Sequence, residues 1–164
     1  MSDQVSREEI LSQLDEKVNN YFLQSFNCAQ SSFAALQEQF GLDGGPILKA
    51  LTPFPGIALQ GETCGAVSGS MMALGLVFGR DRLDDLPGMR AAFVPGITFC
   101  RRFTQEVGST RCGDILETQF GKRFNLTDPA QVAEYRAAGA IEKCGAVTRK
   151  GVRIAAEILL ARPV

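Results

Sequence analysis

Apolar residues recur at helical spacing along most of the chain. Ile10, Leu11, Leu14, Val18, Tyr21 and Phe22 form a first stripe, opened by a capping box between Ser6 and Glu9. A second helix is predicted from Asn27, with Gln30 three residues on, through Phe33, Leu36 and Phe40 to a stop at Gly41. Pro46 to Leu51 reads as a short helix. Thr52-Pro53-Phe54-Pro55-Gly56 then breaks the pattern. Thr63 is the predicted cap of an apolar helix from Cys64 to Phe78, stopped by Gly79. Asp81 to Gly88 reads as polar loop. Arg90 to Val107 reads as helix, interrupted or restarted at Pro95-Gly96, and Gly108 ends it. Ser109-Thr110 is expected to cap a short helix carrying Cys112, Ile115 and Leu116, and Asp128-Pro129 opens another. The last helix is predicted from about Cys144 to Ala161. No alternating strand pattern is found. The expected fold class is all-α, a compact bundle of about six helices, in a single domain spanning residues 1–164.

Charge adds little to this picture. Seventeen Lys and Arg against 18 Asp and Glu leave a net charge of −1, which favours neither nucleic acid nor an anionic membrane as partner. The polar segment Met1 to Glu9 is no signal peptide, and no apolar run reaches a membrane span. A cytoplasmic location follows as the expectation. Apolar helix faces would suit a homodimer. Asp81, Asp84 and Asp85 read as a solvated loop, Met71-Met72 as core filler, and Arg101-Arg102 as a water-facing pair.

Two counts direct the chemistry. The chain has no histidine and five cysteines. Without histidine there is no Ser-His or Cys-His nucleophile and no imidazole metal ligand. Cys28, Cys64, Cys112 and Cys144 all read as lying at helix starts. Free N–H groups and the positive end of the helix dipole there favour thiolate over thiol. Cys100 instead falls on an apolar stripe with Ile97, Phe103 and Val107, and reads as a packing residue.

Gly61-Glu62-Thr63-Cys64-Gly65-Ala66-Val67-Ser68-Gly69 is the most specific text in the chain. Gly65 and Gly69 share a helix face, so another backbone or a ligand can approach closely. Cys144-Gly145-Ala146-Val147-Thr148 echoes it. Together with Asn27-Cys28-Ala29-Gln30, Ser109-Thr110-Arg111-Cys112, and Cys144 ahead of Arg153-Ile154-Ala155-Ala156-Glu157, this segment resembles the family named for its C_GCAxxG_C_C cysteine pattern. The resemblance runs from about Tyr21 to Leu160. It implies an all-helical protein with four functional cysteines and a redox role of unassigned substrate. One region departs from the family. Phe54 to Gln60 is apolar and uncharged, where members are glycine-rich and often basic.

Three readings compete. In thiol–disulfide exchange, Cys64 would attack, Glu62 would accept its proton, and Cys28, Cys112 or Cys144 would be the disulfide partner, with Cα atoms closer than about 7 Å. No cofactor is then needed, and the partner is an unidentified redox protein or small molecule. Alternatively Cys28, Cys64, Cys112 and Cys144 ligate a metal or an iron–sulfur cluster. Gly65, Gly69 and Arg111 are the candidates to line such a cofactor. Third, the cysteines are packing residues of a non-enzymatic helical interaction module.

Overall fold

The computed structural model describes residues 6–162. Met1 to Val5, part of the expected polar start, lie outside them. The chain folds into α1 (Arg7–Ser25), α2 (Cys28–Phe40), α3 (Gly45–Ala50), α4 (Gly56–Leu59), α5 (Gly65–Phe78), α6 (Leu86–Val107), α7 (Cys112–Phe120), α8 (Pro129–Ala137) and α9 (Ala140–Leu160). The expected all-α bundle is found, but it has nine helical elements among the described residues rather than about six. The difference lies in short elements that a periodic stripe cannot reveal. No strand forms among the described residues, only an isolated bridge between Thr63 and Arg111.

Local chemistry explains most boundaries. Ser6 and Glu9 form the expected capping box. Asn27 accepts from the Gln30 amide at 3.0 Å, and Gly41 and Gly108 end their helices in the left-handed region. Three expectations are corrected. The loop expected over Asp81 to Gly88 gives way at Leu86, where Asp85 caps α6 and Pro87 sits in its first turn. Pro95 lies inside α6 without ending it. Cys64 and Arg111, not Thr63 and Ser109-Thr110, occupy the capping positions of α5 and α7.

Helices α2, α5 and α9 form the centre, with α1 and α6 packed around them. Phe33, Leu36, Ala66, Phe99, Phe103 and Ile154 are among the fully or nearly fully buried side chains. The α2–α5 crossing depends on small residues. A Cβ at Gly69 would collide with the Ala29 carbonyl oxygen, so this glycine is a site of backbone approach between helices. A second, smaller cluster gathers Phe26, Phe120, Phe124 and Leu126 around Leu116, Tyr135 and Ala140. On the outer side, α6 exposes Phe93, Val94 and Ile97. No described helix is long and apolar enough to cross a membrane.

Candidate functional site

Four cysteines from distant parts of the chain meet in one cavity. Cys28, Cys64, Cys112 and Cys144 all line a space of about 290 Å³. Phe22, Phe26, Leu59, Ile115, Leu116 and Val132 supply most of its apolar wall. Cys100 is elsewhere, half-buried against the core from α6. All five are free thiols.

The expectation that all four lie at helix starts holds for three. Cys28 opens α2, Cys64 caps α5 and Cys112 opens α7. Cys144 does not, because α9 begins one turn earlier at Ala140. Gly139, in the left-handed region, ends the preceding turn and releases the chain into α9 there.

Position at a helix start does not by itself make a thiolate. Cys28 is the cysteine whose pKa is lowered. The largest cause is a hydrogen bond from the Cys64 thiol, and the amides of Gly65, Cys28 and Ala29 add to it against the opposing effect of burial. The Cys28 sulfur therefore sits between the N-termini of α2 and α5. Cys64, beside that developing charge and itself buried, is pushed well up and keeps its proton as the donor. Of the pair, Cys28 is the thiol shifted toward the ionised form and Cys64 the one shifted away from it.

Cys112 has no such advantage, since its helix start is already occupied. The Cys112 amide donates to the Glu62 carbonyl at 2.6 Å and the Gly113 amide to that of Gly61 at 2.9 Å. The Cys64 amide returns a bond to the Thr110 carbonyl at 2.8 Å. These bonds clamp the starts of α5 and α7 together and leave the Cys112 sulfur few donors. Burial pushes its thiol up to about 12. Burial raises Cys144 to about 11, moderated by the Tyr135 hydroxyl, which lies 2.7 Å from its sulfur. Burial, followed by the neighbouring Cys144, keeps the Tyr135 phenol protonated.

The remaining candidates occupy other places. The Glu62 carboxylate is half-exposed and pairs with Arg111 at 3.1 Å, with no hydrogen bond to a thiol among the described residues. Arg111, held by that pair, is not part of the cavity lining. Gly65 faces the Cys28 sulfur and the start of α2. No group of three or more Cys, Asp or Glu side chains is disposed to hold a metal ion among the described residues. The metal alternative therefore has no evident ligand set.

Tyr135, Arg136 and the hydroxyls that brace the cysteines were not found from sequence. Ser32, Ser68 and Thr148 each donate to the carbonyl of the cysteine four residues earlier, at 2.7, 3.5 and 2.7 Å. The echo between the segments at Cys64 and Cys144 was the available signal for two of these. Over the cavity lies α4, a single left-handed turn. Gly56, Ile57, Ala58 and Leu59 have φ of 57°, 48°, 52° and 64°. Three of the four bear side chains, a costly conformation of the kind that gathers at functional sites. Leu59 lines the cavity, and the space beside Gly56 is filled by Cys112.

No curated protein and no solved structure matches the chain significantly. A family model does, over residues 26–158, and that span contains all four cavity cysteines. Its description is "Putative redox-active protein (C_GCAxxG_C_C)", and the chain belongs to that family.

Proposed function

We propose that this protein is a dithiol redox protein in which Cys28 attacks and Cys64 resolves. The observation that carries the reading is the placing of Cys28 and Cys64 together in one cavity with two further thiols, the first with its pKa lowered by its neighbour and by helix-start amides, the second with its pKa raised. The pairing supplies what exchange needs, a thiol more easily ionised than an ordinary cysteine and a second thiol beside it.

The step balances with a disulfide as oxidant. The Cys28 thiolate attacks one sulfur of R–S–S–R, forming a mixed disulfide and expelling RS⁻. That thiolate takes the Cys64 proton and leaves as RSH. Cys64, now ionised, attacks the Cys28 sulfur and expels the second RS⁻, which is protonated from solvent. Two protein thiols are oxidised to one disulfide, and one substrate disulfide is reduced to two thiols. A thiol reductant, such as a reducing cytoplasm contains, returns the protein to its starting state. Cys112 and Cys144 are held protonated at neutral pH and are not the attacking thiols. The convergence of all four on one cavity favours this reading over a plain interaction module.

The test is peptide mapping after treatment with bis(2-hydroxyethyl) disulfide, a small neutral oxidant, followed by alkylation. The expected product is a Cys28–Cys64 disulfide, and Cys64→Ser should accumulate the mixed disulfide on Cys28. Modification confined to Cys100, or an unchanged rate in Cys28→Ser, would refute the reading.

A further inference from the structure

The cavity also constrains what reaches the thiols. Its volume of about 290 Å³ suits a small molecule. Both the half-buried Cys28 and the 7%-exposed Cys64 line this cavity.

The polar groups of the lining are nearly all engaged internally. Ser25 donates to the Tyr21 carbonyl, Thr148 to that of Cys144, and Tyr135 meets the Cys144 sulfur. Arg136 differs. It is the one lining residue with a permanent charge among the described residues. It has no salt bridge there, whereas Arg111 and Arg123 at the neighbouring helix are both paired with carboxylates. Its guanidinium lies over the Phe26 ring at 4.9 Å, a contact that fixes the group without using its hydrogen-bonding fork. Phe26 is itself held against Phe22 and Tyr135. An exposed cation is thus stationed on an aromatic side of the mostly apolar cavity that the four thiols line.

We propose that the substrate is a small disulfide carrying a carboxylate on a short apolar arm, the carboxylate bound by Arg136 and the disulfide presented to Cys28. The inference rests on the dithiol reading above and assigns its substrate class. Aliphatic arms suit the walls, and a planar carboxylate suits the guanidinium fork. The exchange is the balanced one already given, with R an apolar arm ending in a carboxylate.

The experiment compares three symmetric disulfides of similar size: 3,3′-dithiodipropionate, its neutral diamide, and cationic cystamine. The readout is the second-order rate of Cys28–Cys64 disulfide formation in the intact protein, by quench and mass spectrometry at pH 7. Dithiodipropionate should react about tenfold faster than the diamide, the scale of one charge-assisted contact, and cystamine slowest. Added salt should shrink the preference. Arg136→Gln should bring the dithiodipropionate rate down to that of the diamide in the same variant, and Arg136→Lys should restore part of the preference. Thermal melts confirm that the variants fold. Equal rates for all three disulfides, or faster oxidation by a protein disulfide, would overturn the substrate assignment and leave the dithiol reading standing. If none of the three produces a Cys28–Cys64 disulfide, the dithiol reading itself fails.

Discussion

The Cys28 sulfur occupies the space that a side chain on Gly65 would need. The same glycine presents its amide to that sulfur. One residue therefore makes room for the sulfur and helps to lower its pKa.

Gly65→Ala should accordingly harm both stability and chemistry. The added methyl meets the sulfur and the start of α2 rather than a flexible side-chain end. A loss of about 1–3 kcal/mol is expected, together with slower alkylation of Cys28 at pH 7. Gly145→Ala is the control, because the nearest atoms there lie at 3.7 Å. It should be neutral or slightly stabilising. Equal effects at both glycines, measured by denaturation and iodoacetamide kinetics, would contradict this account.

The four thiols should separate by pH. Cys28 is held below the ordinary value of 9.0, whereas Cys112 and Cys144 are raised to about 12 and about 11. Site-resolved alkylation at pH 7 should therefore label Cys28 before Cys112 and Cys144.

Stability follows with a definite sign. Cys28 contributes stability that is present above pH 9 and is lost as pH falls through its lowered pKa. Cys112 and Cys144 act in the opposite direction. Between 9.0 and about 11 the unfolded chain releases their protons while the folded one retains them, so stability falls as pH rises. Under reducing conditions the Tm should drop across that window. The drop should be smaller in Cys112→Ala, and an identical slope would show that burial of this thiol has no such effect.

Tyr135→Phe removes the hydroxyl that lies 2.7 Å from the Cys144 sulfur. The ring can still pack with Phe120 and Phe124, whose centroids are both 5.4 Å away. A modest stability loss of about 1 kcal/mol is expected. The Cys144 pKa should rise further, since the hydroxyl moderates it. Slower alkylation of Cys144 at pH 10, with Cys28 unaffected at pH 7, is the signature. A faster reaction would mean that the hydroxyl shields rather than assists.

Ala58 lies at φ 52° in the left-handed turn over the cavity. Glycine adopts that conformation without the Cβ cost, so Ala58→Gly should stabilise by about 1 kcal/mol or slightly less. A measured loss would imply that the Ala58 methyl supports the turn.

Much of the bundle was legible because long helices announce themselves. The stripe of α1, the Asn27 cap and the Gly41 and Gly108 stops follow from local chemistry alone. The start of α9 was missed since Ala140 and Ile141 carry no capping signal, and this misplaced Cys144 by a turn. The set of four cysteines could be read. The order of their acidities could not, because it depends on which amides are already taken. Cys112 loses its helix-start advantage to main-chain partners from residues near Cys64, a long-range pairing that no spacing encodes. Arg136 was invisible for a similar reason. Its position becomes meaningful only once Phe26 is brought beneath it.

The clamp between residues 61–64 and 110–113 bears on how electrons can be stored here. Its hydrogen bonds use peptide groups only, joining Cys64 to Thr110 and Cys112 to Glu62. Making or breaking a sulfur–sulfur link need not disturb them. Under the proposed dithiol reading the clamp would act as a jig, holding the starts of α5 and α7 in place whatever the state of the sulfurs.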